Sequence, residues 1–304
     1  MESVNSPKSG IVLLDKPAGI SSQAAVTRVK KLLHIKTAGH AGTLDPIATG
    51  LLIVCFGRAT RAAEYLTGYD KKYEAVFKTG ISTDTCDITG EITASSDYKP
   101  TAAGIEQVLP LFTGRQMQRP PRYSAIRTGG RRFYELARRG SDIEPEEREI
   151  YIHSLRLLFA DEKNGLFTIA VHCSKGTYIR ALCRDICKAA GGPGTMAALR
   201  RTAIGKYGVE RAVTLEDIAQ KIEKCDFGFV LGIDSVFDNL PALVVDDFAV
   251  SRIKNGAHVP AKHVLSKTAD RQGRHRVYSR TGDFIAVCVL EDGALNCEKS
   301  FFEI

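Results

Sequence analysis

The pattern of apolar and polar positions changes period several times along the chain, and each change marks an element. Leu51-Leu52-Ile53-Val54-Cys55-Phe56 is apolar without interruption and reads as a buried strand. Ile11 to Leu14 reads as a shorter strand, followed by a helix that Ser21 or Ser22 caps and that runs through Leu33. Arg58 to Leu66 has helical spacing. From Lys72 to Lys78 the period falls to two, with Tyr73, Ala75 and Phe77 on one face and Lys72, Glu74 and Lys78 on the other. Ile105 to Phe112 is helical despite Pro110. Glu149 to Phe159 and Leu166 to Cys173 form an antiparallel pair around Asp161-Glu162-Lys163-Asn164-Gly165. A helix from about Tyr178 to Ala190 stops at Gly191-Gly192-Pro193-Gly194. Strands and helices mix without regular alternation, which predicts an α+β domain on a largely antiparallel sheet.

Beyond a helix capped by Thr214, Cys225 to Asn239 reads as a linker and the chain then changes character. Val277-Tyr278-Ser279, Phe284 to Leu290 and Cys297 to Ile304 read as short strands joined by Gly and Asp turns, with one helix near Asp246 to Lys254. A small β-barrel is the natural closure for such a segment. The expected division is 1–235 for the large unit and 240–304 for the small one.

Composition narrows the partners. At 304 residues and 44% hydrophobic content the chain can build one large core and a small one. Its longest apolar stretches fall well short of the ~20 residues that span a bilayer, and the N-terminus has no basic start followed by an apolar region. The expectation is a cytoplasmic monomer with no membrane contact. Eight cysteines are expected to be reduced thiols. His172, Cys173, Cys183 and Cys187 are the cluster to weigh as metal ligands. Cys183 and Cys187 share a helix face, yet the Cys-x-x-Cys spacing of zinc knuckles is missing, so a packed helix and no metal are expected.

The net charge of +7 is concentrated. Residues 114–140 hold eight arginines against the single acid Glu135, an excess equal to that of the whole chain. Arginine without lysine suits phosphate and base stacking, because its planar guanidinium donates paired hydrogen bonds. Tyr123, Phe133 and Tyr134 interleave the run, which reads as a basic arm for nucleic acid. The alternative is a solvated surface whose arginines partner the acids that follow, from Asp142 to Glu149.

The densest chemistry lies in Gly39-His40-Ala41-Gly42-Thr43-Leu44-Asp45-Pro46-Ile47-Ala48-Thr49-Gly50. Glycines permit backbone angles closed to other residues, and Pro46 biases Asp45 away from helical angles, so one carboxylate is held in a loop mounted on a strand. A tight turn in which Asp45 merely caps backbone N–H groups is the alternative. In dry surroundings such a carboxylate needs a cation to remain charged. Tyr178 and Arg180 are two apart, a spacing that points side chains the same way only in extended chain. Gly205-Lys206 lacks the remaining residues of a phosphate-binding P-loop.

The string GHAGTLDPIATGLL resembles the signature of the TruB family of tRNA pseudouridine synthases. The resemblance continues in Leu13-Leu14-Asp15-Lys16-Pro17-Ala18-Gly19-Ile20-Ser21-Ser22, in Asp70-Lys71-Lys72-Tyr73 and in Cys173-Ser174-Lys175-Gly176-Thr177-Tyr178-Ile179-Arg180, within an ordered similarity over roughly residues 10–220. It implies isomerisation of uridine to pseudouridine at position 55 in the T loop of tRNA. That reaction has no net redox change and calls for no cofactor. It further implies Asp45 as nucleophile, Arg180 as its cation, Tyr178 beside the base as acid or base, and Tyr73 stacked on the uracil. His40 is implied to orient the RNA backbone or the flipped nucleotide, and Leu199 to line the base pocket. The stretch Pro121-Arg122-Tyr123-Ser124-Ala125 resembles the family's RNA-gripping insertion, which brings Arg122, Arg131 and Arg132 into substrate binding. Arg127 stands where the family usually has lysine, and Ala41 where threonine is common. The C-terminal segment resembles a PUA-type RNA-binding module in position, though its motif is weak. Without the resemblance, Arg180 reads as a structural ion pair, Tyr73 as a strand aromatic, His40 as a solvated loop residue and Leu199 as core. The competing function is a tRNA-binding or folding module without catalysis.

Overall fold

The computed structural model describes residues 6–123, 127–128, 131–132, 145–266 and 272–302. The first strand, β1 (Gly10–Lys16), leads through helix α1 (Ser22–Leu32) and β2 (Ala38–His40) to β3 (Thr49–Phe56). β1 and β3 pair antiparallel, from Gly10 against Phe56 to Lys16 against Gly50. One face of this pair packs Val12, Leu14, Leu52 and Val54 against α1, and the other packs Ile11, Leu13, Leu51 and Ile53 against residues 57–66. With both faces covered, polar alternation has no place, which is why an unbroken apolar run forms a strand here. Ser21 caps α1 by accepting a hydrogen bond from the Ala24 N–H. The segment expected as one helix after β3 divides into a 3₁₀ stretch, Gly57–Ala62, and α2 (Ala63–Thr67).

β4 (Lys71–Thr79) has the expected period of two. A small hairpin, β5 (Ile81–Thr83) with β6 (Ile92–Ser95), precedes α3 (Ala102–Val108). Pro110 sits in a 3₁₀ turn, Leu109–Phe112, where its missing N–H is tolerated, so the predicted helix is shorter than its spacing suggested. After β7 (Gly114–Gln118) come β8 (Arg127–Thr128) and β9 (Arg131–Arg132), which pair antiparallel. Of the arginine arm, residues 124–126, 129–130 and 133–140, including Arg138 and Arg139, lie outside the described residues. β10 (Arg148–Asp161), β11 (Leu166–Cys173), α4 (Ile179–Ala189), β12 (Gly194–Ile204), β13 (Tyr207–Gly208), α5 (Leu215–Glu223) and β14 (Val230–Leu231) complete the large unit.

The main sheet has the order β14-β1-β3-β12-β4-β11-β10-β7, with β2 on β3 and β13 on β12. Its pairings are antiparallel apart from the short parallel contact of β12 with β3. Behind β4, β10, β11 and β12 a second core gathers Phe77, Phe167, Ile169, Ile152 and Met196 with the α4 residues Leu182, Cys183 and Ile186.

Cys225 to Asn239 is no free linker. Val230 and Leu231 pair with β1, and Ile233, Val236 and Phe237 are buried with the β1–β3 core. Apolar side chains in that stretch find a groove beside the sheet, which a spacer reading of its glycines and charges overlooks. The C-terminal unit holds β15 (Ala242–Val244), α6 (Asp247–Lys254), β16 (Val259–Pro260), β17 (Gly273–Tyr278), β18 (Phe284–Glu291) and β19 (Ala294–Ser300). Its sheet runs β15-β17-β18-β19-β16. The expected barrel is not closed among the described residues: the edge strands, three and two residues long, do not pair with each other. Phe301 and Val287 reach into the core around Phe237, with Phe237 and Phe301 ring centroids 5.7 Å apart. Among the described residues no helix is long and apolar enough to cross a membrane.

Candidate active site

The Gly39–Gly50 loop is held residue by residue. Arg201 on β12, 1% exposed, donates to the carbonyls of Gly42 at 3.0 Å, Thr43 at 3.3 Å and Leu51 at 2.7 Å. The Ser22 hydroxyl accepts from the Leu44 N–H at 2.7 Å and donates to the Leu44 carbonyl at 2.9 Å. The Asp45 carbonyl accepts from the Ala48 N–H, and the Pro46 carbonyl from the Gly19 N–H. Each of these polar backbone groups thus has a partner within the protein. Gly50 is required for a different reason. Its φ is +96°, and a Cβ there would lie 2.3 Å from the Arg201 carbonyl oxygen, where β3 and β12 pair.

The Asp45 carboxylate projects from this frame into a cleft of about 1270 Å³. Its Oδ2 lies 2.8 Å from Arg180 Nε, and its Oδ1 accepts from Arg180 Nη2 at 3.4 Å. The guanidinium side chain is 7% exposed and the carboxylate 34%, so the cation sits behind and the anion faces the cleft. Arg180 is fixed further by the carbonyls of Thr85 at 2.8 Å and Tyr123 at 3.0 Å, and by buried Asp87 at 3.7 Å. Asp87 is itself held by the Thr89 N–H and the hydroxyls of Thr85 and Thr89.

The reason for the Tyr178 and Arg180 spacing differs from the expectation. Tyr178 is the extended cap of α4, at φ −97° and ψ 106°, whereas Arg180 already lies in the helix. A turn from Ser174 to Thr177, closed by the Thr177 hydroxyl on the Ser174 carbonyl, delivers the cap residue to the cleft. The helix then carries Arg180 beneath it. Gln118 grips the Tyr178 backbone on both sides, accepting from its N–H at 2.8 Å and donating to its carbonyl at 3.1 Å.

Tyr73, Leu199 and His40 line the same cleft. Tyr73 lies on the inward face of β4 and Leu199 on that of β12, both nearly buried. Burial pushes the Tyr73 phenol up, with nearby Arg201 acting in the opposite direction. Burial lowers the His40 imidazole, and Arg201 adds to the effect. Its Nδ1 is buried without a hydrogen-bond partner. Arg122 is exposed and does not line the cleft, although its neighbour Tyr123 does. The side chains of Arg131 and Arg132 lie outside the described residues. The proposed His172 and cysteine cluster does not converge on one point: His172 faces outward on β11 while Cys173 faces the core. Burial pushes the Cys173 and Cys187 thiols up to about 12, which leaves them protonated at neutral pH.

Several charged groups escaped the sequence reading. Lys16 is fully buried, with Nζ donating to the Pro17 and Ile20 carbonyls at 2.8 Å. Burial lowers its ammonium to about 8 against the opposing pull of Asp45. Burial also brings Lys71 to about 8, and its Nζ donates to the Thr67 and Tyr69 carbonyls. Arg148, at the cleft wall, lies 5.7 Å from the Tyr178 ring centroid and has a buried Nε without a partner. Register offered a signal for each of them: Lys16 shares the face of Leu14, Lys71 the inward face of Tyr73 and Arg148 that of Ile150, as Arg201 shares that of Leu199.

Arranged in this way, the site presents one anion in front of a buried cation, an aromatic and an aliphatic wall, and an N-cap tyrosine. It suits nucleophilic attack on a flat, uncharged ring or its sugar. Residues 30–179 match the TruB family pseudouridylate synthase (N terminal domain), and residues 180–230 match the tRNA pseudouridylate synthase B C-terminal domain. The chain is 38% identical over 292 residues to the tRNA pseudouridine synthase B of Cupriavidus metallidurans, covering 95% of this chain and 93% of that protein. It is 40% identical over 291 residues to the protein of the same name from Azoarcus sp., covering 95% and 94%. Among solved structures it resembles a chain of an H/ACA RNP bound to a substrate RNA containing 2'-deoxyuridine, with a TM-score of 0.70, 23% identity, and coverage of 97% of this chain and 85% of that one. A chain of the archaeal box H/ACA sRNP Nop10-Cbf5 complex gives a TM-score of 0.69 at 23% identity, with 97% and 86% covered. Both structural likenesses concern the fold alone.

Proposed function

The chain belongs to the TruB family and is a tRNA pseudouridine synthase, and from that premise we propose that it isomerises the uridine at position 55 in the T loop of tRNA with Asp45 as nucleophile. The carrying observation is the Asp45–Arg180 pair at the cleft floor, with the carboxylate turned outward and the guanidinium buried behind it.

A base stacked inside folded tRNA cannot reach Asp45, so the target nucleotide leaves the stack and enters the cleft. Tyr73 and Leu199 sandwich the uracil, and the unpartnered Nδ1 of His40 and Nε of Arg148 supply polar contacts to the flipped nucleotide and its backbone. Asp45 attacks the nucleotide, and the bond between N1 and C1′ breaks. The base turns, C5 bonds to C1′, and the bond to Asp45 is released. The proton on C5 leaves, with Tyr178 placed to relay it, and N1, which carries no proton in uridine, takes one up, so the isomerisation balances. Arg180 keeps the carboxylate aimed through these steps. No electrons leave the pair of reactants, so the chain's own residues suffice.

The same reading makes residues 1–235 the catalytic unit and 240–304 an RNA-binding unit. Arg122, Arg131 and Arg132 belong to an arm on the T-arm backbone, and the enzyme acts as a monomer in the cytoplasm. The test is tritium release from tRNA carrying 5-tritiated uridine. Release is expected with the wild type, and loss is expected both with Asp45→Asn and with a transcript whose T-loop uridine is cytidine. Full turnover by folded Asp45→Asn would remove the aspartate from the mechanism. Release from the cytidine transcript would move the target elsewhere.

A further inference from the structure

We infer that Asp70, His153 and His172 form a binding site for one divalent first-row transition metal ion. One oxygen of Asp70 and one ring nitrogen of each histidine all lie within 4.8 Å of one another. His153 Nε2 is 2.9 Å from Asp70 Oδ2, and the two imidazole centroids are 4.4 Å apart. None of the three residues lines the Asp45 cleft.

The convergence has a cause in the sheet. His172 lies on the outward face of β11, whose inward face carries Phe167, Ile169, Val171 and Cys173. In the β10–β11 register Ile152 pairs with Cys173 and Ser154 with His172, which leaves His153 as an extra residue. A bulge of this kind sets two residues against one and re-aims a side chain. Here it brings His153 beside His172. Asp70 immediately precedes β4, the strand on the other side of β11, and its carbonyl accepts from the Gly205 N–H. Three adjacent segments therefore each place one donor at the same point.

Two imidazoles and one carboxylate form a donor set for zinc, cobalt, nickel or iron(II), not for calcium or magnesium, which take oxygen ligands. Bonds of about 2.0–2.2 Å around a tetrahedral ion require tighter donor spacing than the widest seen here. Small side-chain rotations close that gap, since the Asp70 side chain is 44% exposed and that of His153 34%. Lys72, the register partner of His172, is the cation that opposes binding. A bound ion would tie β10 and β11 to the residue before Lys71 and so brace the start of the strand that carries Tyr73. It takes no part in the isomerisation.

Full-length protein stripped of metal is titrated with cobalt(II) and then zinc(II). One equivalent is expected to bind, with visible cobalt absorption, no thiolate band in the near ultraviolet, and displacement by zinc. His153→Ala and His172→Ala should each weaken binding at least about tenfold, with the metal-free thermal midpoint unchanged. Asp70→Asn should weaken it less. Failure to bind below about 1 mM would overturn the proposal. So would undiminished binding by the double histidine variant, or a thiolate band that assigns the ion to Cys225 or Cys297.

Discussion

Arg180 serves four partners from one planar group: Asp45, the carbonyls of Thr85 and Tyr123, and Asp87. Lysine in its place keeps a charge but cannot reach in several directions at once. Arg180→Lys is expected to lower kcat about a hundredfold or more, with tRNA affinity little changed, as single-turnover kinetics and filter binding would read. Lys16 and Lys71 make a different prediction, in pH. Both are lowered to about 8 from the usual 10.5, chiefly by burial. Between those values the unfolded chain holds the proton more tightly than the folded one, so each lysine's contribution to folding stability rises with pH across that window and is flat below it. The buried Cys55, Cys173 and Cys187 thiols, pushed up to about 12, contribute in the opposite sense above about pH 9. The lysine contribution is therefore read by difference: urea unfolding from pH 7.5 to 10 should give a lower slope of stability against pH for Lys71→Met than for the wild type.

At the scale of elements, Gly50 is the most exacting position. Any side chain there meets the Arg201 backbone and takes an unfavourable φ, so Gly50→Ala is expected to cost about 3 kcal/mol or more in stability, measured by denaturant unfolding. The need for glycine in this loop was legible in the sequence, but its partner was not. Arg201 and Gly50 are far apart in the chain, and no local pattern states which strand will lie beside β3. Elements with a clear period, such as Lys71–Thr79, Leu166–Cys173 and Ile179–Ala189, were readable because one buried face sets the spacing. Val230–Leu231 was missed because a two-residue strand has no period to detect. The fully buried Lys16 was missed because its burial depends on the carbonyls of Pro17 and Ile20, which only the folded turn brings round. The family resemblance supplied Tyr73 and Leu199. Without it Tyr73 reads as a strand aromatic and Leu199 as core.

For the molecule as a whole, the positive charge and the cleft belong to one surface argument. Tyr123 lines the cleft and directly follows exposed Arg122, so the basic run 114–140 passes along the edge of the cleft. If the arm grips phosphate, tRNA affinity falls steeply with salt, and the Arg131→Ala/Arg132→Ala pair flattens the log–log slope by roughly 1.5. An unchanged slope would assign the arm another task. The main sheet also fixes an order of events during synthesis. The loop bearing Asp45 emerges early, but the guanidinium that fastens Gly42 and Thr43 belongs to residue 201, on a strand about 160 positions later. Contacts so distant in sequence close slowly. A ribosome must therefore deliver two-thirds of the polypeptide before the aspartate has its frame, and a truncated product carries Asp45 without the means to aim it.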